Sequence, residues 1–270
     1  MPSIPIFDSL MHPMPDKGWL DPSCTGKNDI ENQLDSMQQH NIRWGLAVGL
    51  GPTIGGYNES SYADFVRQHT NILYPVAYCD FTELQREADI EPYLSRLKSL
   101  GYIGIKVHPR IARITFEHPL LSKIISSANQ LDLSVLLCTY LWTREGQTGT
   151  GGLYGIVNLL AKVPDEKLVL LHGGAVRLLE MAEVARQFPA VLLDLSFTLC
   201  KYEMSSLDAD IRYLFNKFDQ RICIGSDSPE FSHGDLRRRF EEFSSELDSE
   251  KASNIAYRNL QRHLNIDAEN

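Results

Sequence analysis

The sequence predicts an α/β protein, a (β/α)8 barrel with extra helices at its C-terminal end. Three observations carry that expectation. Eight short apolar runs rich in β-branched residues recur along the 270-residue chain. They read as near-continuous rather than alternating, as strands buried on both faces of a parallel sheet do. Amphipathic stretches lie between them, and strand–helix alternation over this length fits a barrel better than an open sheet.

The runs, in order, are "IPIFDSLMH", "IRWGLAVGL", "NILYPVAYCD", "GYIGIKVHP", "LSVLLCTYL", "KLVLLHGGA", "AVLLDLSF" and "RICIGSDSP". After the first, "DIENQLDSMQQHN" places Ile30, Leu34 and Met37 on one helical face. "EPYLSRLKSLG" repeats Tyr93, Leu94, Leu97 and Leu100, and Gly101 supplies a stop. "AVRLLEMAEVARQFP" carries Val176, Leu179, Ala182 and Val184 and halts before Pro189. "GDLRRRFEEFSSEL" and "DSEKASNIAYRNLQRHL" follow the eighth run as two closing helices.

The competing architecture is an open doubly wound sheet, but no GxGxxG follows the first run to make a dinucleotide turn. "GLGPTIGG" at 49–56 has neither that spacing nor a phosphate-loop Gly-Lys-Ser/Thr, and reads as a flexible loop after the second strand. No repeat, low-complexity segment or linker divides the chain, so residues 1–270 are expected to form one domain.

Composition narrows the function classes. The chain is 43% hydrophobic and 23% charged, as an ordinary globular domain is, with a net charge of −9. That balance, without a basic run interleaved with aromatics, argues against nucleic acid or an anionic membrane as partner. No apolar stretch reaches the roughly 18 residues of a membrane span, and the start "MPSIPIFDSL" shows no signal-peptide pattern. Five scattered cysteines, Cys24, Cys79, Cys138, Cys200 and Cys223, form no CxxC pair. Reduced thiols in the cytoplasm are the expectation.

In such a barrel the active site forms at the carboxyl ends of the strands. The first run ends in Asp8 and His12, the fourth in Lys106 and His108, and the fifth in Cys138, Thr139 and Tyr140. The sixth ends in His172 before Gly173 and Gly174, the seventh offers Asp194 and Ser196, and the eighth ends in Ser226 and Asp227. Each has a plainer reading. A lone strand-end histidine is most often a hydrogen-bonded structural residue, Cys138 alone reads as a small buried hydrophobe, and Asp194 reads as a carboxylate bonding neighbouring backbone. Lys106 resists such a reading, because an unpaired buried lysine costs several kcal/mol in order of magnitude. Convergence of His, Lys and Asp from four strands is what points to a site.

"IFDSLMHP", "GIKVHPR", "LVLLHGG" and "IGSDSPE", with the closing "IAYRNLQRHLNI", resemble the amidohydrolase superfamily, in its amidohydrolase-2 branch. The resemblance runs through nearly the whole chain. It implies a barrel hydrolase or decarboxylase with a divalent metal, commonly zinc, and a homodimeric assembly. Carried over by position, the metal ligands would be His12, Cys138, His172 and Asp227, with Leu10 standing where a second first-strand histidine belongs. A carboxylated lysine of two-metal members would fall on Lys106. Leucine cannot bind a metal, whereas a thiolate at Cys138 can bind zinc.

The expected chemistry is hydrolysis of an acyl C–N or C–O bond in a small anionic metabolite. A metal would lower the pKa of bound water, Asp227 would act as general base, and His172 would stabilise the oxyanion. Without a metal, as for some lactonases of that superfamily, Lys106, His108 or His172 would supply the positive charge. Arg110, Arg113 and Arg144 are the candidates to bind the anion, with at least one of the three expected to be a plain solvated loop arginine. Tyr140 and Trp142 are candidates for an apolar or stacking wall, and "YLWTREGQTGTGGLYG" at 140–155 reads either as a lid or as an ordinary surface loop. A decarboxylase and a non-catalytic barrel that binds a ligand or partner are the alternatives.

Overall fold

The computed structural model describes residues 3–51, 54–141 and 152–266. All eight apolar runs form strands: β1 (Ile6–Met11), β2 (Ile42–Val48), β3 (Leu73–Tyr78), β4 (Gly104–Val107), β5 (Ser134–Cys138), β6 (Leu168–Leu171), β7 (Leu192–Asp194) and β8 (Ile222–Cys223). They pair in sequence order, every neighbour parallel. β8 is only two residues long, so the ring closes through the chain just beyond it. Ser9 N donates to the Ile224 carbonyl at 3.0 Å, Asp227 N to Leu10 at 2.8 Å and His12 N to Ser228 at 2.8 Å. A Cβ on Gly225 would collide with Ser9 Oγ and Asp8 Oδ1, so this closure needs glycine there.

Two apolar layers hold the ring. Leu10, Leu46, Val48, Val76, Leu136 and Leu171 fill the barrel interior, and a larger layer packs helices around the outside. Leu10 is fully buried in that interior layer, directly below His12 in sequence, where an apolar side chain adds burial of about 2 kcal/mol. The last helix, Asn259–Leu264, plugs the bottom with Leu260, while Asn259 Nδ2 donates to the Asp219 and Ile222 carbonyls at 2.6 and 2.8 Å.

The helix Ile30–Gln39, capped by Asp29 accepting from Glu31 N, and the helix Ile90–Ser99 match their sequence patterns, with Gly101 at φ +87°. The third pattern starts late. Gly173, Gly174 and Ala175 all have positive φ, so the helix runs only from Leu178 to Gln187. Its buried face is Leu178, Met181, Ala182, Val184 and Ala185, and the expected face residues Val176 and Leu179 are exposed. Among the described residues no helix is long and apolar enough to cross a membrane.

Candidate active site

The carboxyl ends of the strands surround a cavity of about 280 Å3. His12, Lys106, His108, His172 and Asp227 line it, joined by Arg110, Tyr140 and six residues not singled out from the sequence: Leu20, Leu50, Trp19, Phe197, Lys201 and Glu230. A larger groove of about 630 Å3 lies elsewhere, at the outer helices around Glu91 and Lys123, and gathers none of these groups.

Each side chain is aimed by its backbone. His12 follows β1, and its Nδ1 lies 2.6 Å from the Val48 carbonyl at the end of β2. A carbonyl only accepts, so Nδ1 carries the hydrogen and Nε2 keeps a lone pair. Lys106 Nζ, from β4, lies 3.2 Å from that Nε2, and Asp227 Oδ1 lies 3.4 Å from it. Burial and the Lys106 charge push His12 down to about 4, so it is a neutral acceptor for the ammonium. His108 caps the short helix Pro109–Ala112, its Nδ1 accepting from Ile111 N at 3.4 Å. Burial, Lys106 and Arg110 together hold it far below the ordinary imidazole range, so it too is neutral.

The charged members balance one another. Burial alone would raise the Asp227 carboxyl, but the charges of His172 and Lys106 outweigh that and hold it well below the usual carboxylate range. Burial lowers Lys106, while Asp227 and Cys138 push back. Burial opposes the Cys138 thiolate, yet His172, Arg110 and Lys106 bring it down to about 6. Burial opposes the His172 imidazolium, and its hydrogen-bonded partner Cys138 with Asp227 raises it above its ordinary value.

Backbone strain concentrates here. His172, Phe197 and Asp227 have φ of +66°, +62° and +56°, a region costing non-glycine residues on the order of 1 kcal/mol or more each. Asp194 helps hold two of these turns. Its Oδ1 accepts from His172 N at 3.2 Å, from Ser196 N at 3.1 Å and from Ser196 Oγ, and its Oδ2 accepts from Ser9 Oγ. The backbone-bonding role read from the sequence is the one it plays.

The anion-binding residues divide. Arg110 stacks its guanidinium 4.6 Å from the Tyr140 ring centre, with a buried Nε that has no hydrogen-bond partner among the described residues. Arg113, the C-cap of the Pro109–Ala112 helix with φ +54°, is turned out into solvent and does not line the cavity, which corrects its expected role. Trp142, Arg144 and most of the 140–155 segment lie outside the described residues. The far wall is Phe197, edge-on to Tyr140 at 5.5 Å and to His172 at 5.9 Å, with Lys201 Nζ 5.8 Å from its centre. Trp19 Nε1 donates to Glu230 at 2.8 Å and bridges the loops after β1 and β8.

The metal set of His12, Cys138, His172 and Asp227 does not form a ligand shell. The His12 lone pair that would face the metal faces Lys106 Nζ instead, and Leu10 fills the neighbouring ligand position. Among the described residues no three His, Cys, Asp or Glu side chains are arranged to hold a metal ion. The residues present do not fit the group that the resemblance implies.

No protein-family model matches the chain, and no curated protein matches it by sequence. Solved structures do. An uncharacterised TIM-barrel protein from Bordetella bronchiseptica superposes with a TM-score of 0.78 at 17% identity, covering 96% of this chain and 98% of that one. A dihydroxybenzoic acid decarboxylase from Polaromonas, solved with manganese and the inhibitor 2-nitroresorcinol, gives 0.71 at 13% identity over 97% of each chain. A probable 2-pyrone-4,6-dicarboxylic acid hydrolase from Acinetobacter baumannii, solved with citric acid, gives 0.68 at 14% identity over 97% of this chain and 99% of that one. At these identities the likeness establishes the architecture: this chain has the eight-stranded barrel fold found in proteins of the amidohydrolase-2 type.

Proposed function

We propose that the protein is a hydrolase acting on an acyl C–O or C–N bond of a small anionic metabolite. One observation carries this reading. A buried guanidinium donor on Arg110, without a partner among the described residues, shares a small cavity with the Asp227 carboxylate and the Lys106 ammonium. An unsatisfied buried donor costs about 1–3 kcal/mol, and a substrate carboxylate or phosphate removes that cost by accepting from it.

With the anion on Arg110 and its body against Tyr140 and Phe197, the reacting carbonyl comes among Lys106, His172 and Asp227. Lys106 Nζ, whose other partner is His12, polarises the carbonyl oxygen and stabilises the oxyanion, as fixed charge in a dry pocket does. Asp227 stays ionised through the neutral range. It is a weak base at rest, and accepts a proton from water as attack makes that proton acidic. His172, raised in pKa beside Cys138, donates to the leaving oxygen or nitrogen.

The test uses protein purified without a polyhistidine tag, its metal content measured, on a panel of dicarboxylate lactones, cyclic amides and hydroxybenzoates. The expected result is opening of a lactone or cyclic amide that survives chelator and is lost in Asp227→Asn at unchanged melting temperature. Release of carbon dioxide would make it a decarboxylase. Near-stoichiometric zinc lost on Cys138→Ala would restore the altered metal site. Turnover unchanged by Asp227→Asn would sink the reading, and binding of an anion without turnover would mark a non-catalytic barrel.

A further inference from the structure

A second cavity, of about 520 Å3, opens behind the segment that carries Asp227. It lies between the helix Ile30–Gln39 and the chain that runs from β8 into the helix His233–Ser244. Its volume falls in the range of small-molecule sites. The two cavities are separate but share a wall. Asp227 lines the catalytic side, Ser228 and Phe231 line the other, and Glu230 borders both. Phe231 meets Phe197 of the catalytic cavity at 5.6 Å between ring centres.

The floor of this cavity has unused bonding capacity. Gln33 is 2% exposed, and its Nε2 donates to Ser228 Oγ at 3.0 Å. Its Oε1 is buried with no hydrogen-bond partner among the described residues, and an acceptor left so costs about 1–3 kcal/mol. The Ser228 hydroxyl, having accepted from Gln33, keeps its own hydrogen to donate. An acceptor and a donor therefore stand side by side, and the group that answers both is a hydroxyl. A hydroxyl also meets the Gln33 amide in either of its two orientations. A carboxylate or phosphate has no hydrogen for Oε1, and an ammonium has no lone pair for Ser228.

The walls agree with the floor. Thr25, Asn32 and Ser36 add uncharged donors and acceptors, and Pro229 and Phe231 an apolar side. At the rim Lys27 stands against two acids, both already engaged. Glu230 accepts from Trp19 Nε1 at 2.8 Å, and Asp235 accepts from Ser232 N at 3.1 Å in the cap of its helix. His233 borders the cavity as well, but its Nε2 faces Asp8. We propose that this cavity is a second binding site, for a neutral polyhydroxylated molecule of monosaccharide or cyclitol size. Its hydroxyls bond Gln33 and Ser228, and its C–H face lies on Phe231. Occupancy reaches the catalytic cavity through Glu230, which holds Trp19 with its ring 5.1 Å from that of His12.

The test titrates the whole chain calorimetrically, at millimolar concentration, with glucose, ribose, mannitol and myo-inositol. Glucose 6-phosphate and glucosamine serve as charged counterparts, and tryptophan emission is recorded alongside. The expected result is one equivalent of a neutral polyol, with the charged counterparts more than about tenfold weaker. Emission should shift on binding, and the shift should vanish in Trp19→Phe. Gln33→Leu removes the acceptor, and Ser36→Trp fills the cavity from a half-buried position on the same helix. Each should weaken binding more than about tenfold. Ser36→Trp decides the matter should Gln33→Leu fail to fold. Arg110→Gln, in the catalytic cavity, should leave the affinity within about twofold.

No binding by any of the four neutral polyols overturns the proposal. Binding that survives Ser36→Trp and is lost in Arg110→Gln places the polyol in the catalytic cavity and overturns it as well. Tighter binding of the phosphate or the amine overturns the neutral class. Binding lost in Ser36→Trp with no shift in emission keeps the site and sinks its link to Trp19. These readouts need no turnover, so failure of the hydrolase reading leaves them standing, and their failure leaves that reading standing.

Discussion

Two buried polar systems sit side by side at the same end of the barrel, and only one has spare bonding capacity. Around Asp194 and Asp8 the valences are closed. Asp194 accepts from two backbone amides and two hydroxyls, and Asp8 from Leu10 N at 3.1 Å, Ser226 N at 2.9 Å and Ser226 Oγ at 2.6 Å. Around the cavity they stay open. Lys106 holds one neutral acceptor, and among the described residues Arg110 Nε has no partner and Asp227 faces the charges of Lys106 and His172 without an amide to its side chain. Burial of a carboxylate therefore says little about function here. What separates the two systems is whether charge is neutralised by fixed backbone or left for something arriving from solution.

Substitutions should separate the two systems along different axes. Asp227→Asn has the largest expected effect, a fall of about a thousandfold in turnover with little change in melting temperature. Steady-state kinetics on the best panel substrate beside thermal unfolding checks it. Asp194→Ala should do the reverse. It strands two hydroxyls and two amides, so a loss of about 3–4 kcal/mol is expected from denaturant unfolding. A variant that kept its stability would mean that Asp194 does not belong to the closed system. Arg110→Gln ranks third. It should raise KM about 10- to 100-fold, the worth of a charged hydrogen bond, with kcat nearly unchanged. A loss in kcat alone would move Arg110 from binding into chemistry.

The sequence showed more of the open system than of its walls. Each strand is an apolar run and the polar site residues punctuate the ends of those runs. Parallel order in a barrel then brings Lys106, His172 and Asp227 together whatever the loops do. The failures trace to single backbone dihedrals. Arg113 follows Arg110 by three residues, close enough to share its direction on a regular helix, but its left-handed φ turns it outward. Positive φ at Gly173, Gly174 and Ala175 delays the next helix and rotates Val176 and Leu179 off the buried face. Phe197 reaches the cavity through another positive φ, and Trp19 through a loop with no periodic pattern to place it. His12, Cys138 and His172 were each legible as candidates. Their pairing was not, because whether a histidine faces a metal, a lysine or a thiolate depends on which ring nitrogen its backbone neighbour claims.

The smallest expected effect lies in the closed system and comes from its acid. Burial raises the Asp8 carboxyl, against lowering by its bonds from Ser226 and Leu10, up to about 7. Its Oδ2 lies 3.5 Å from His233 Nε2, an atom with no other hydrogen-bond partner among the described residues, on a ring that burial pushes down to about 4. At mildly acidic pH the pair holds one proton, on Asp8, directed at that nitrogen. The folded pKa lies above the unfolded value near 3.8, so folding binds this proton. The stability it contributes is complete below about pH 4 and is lost as pH rises through about 7. Asp8→Asn imitates the protonated acid. Its Nδ2 donates toward His233 and Ser226 Oγ, and that hydroxyl turns to the Leu10 carbonyl, 3.4 Å away. At pH 5 the substitution should shift stability by less than about 1 kcal/mol. Above pH 7 the variant should be the more stable protein, with a flatter pH dependence in urea unfolding. A wild-type curve that instead rises between pH 4 and 7, with Asp8→Asn destabilised throughout, would show that Asp8 is buried as a carboxylate. The closed system would then carry an uncompensated charge, and the contrast with the cavity would rest on Arg110 and Lys106 alone.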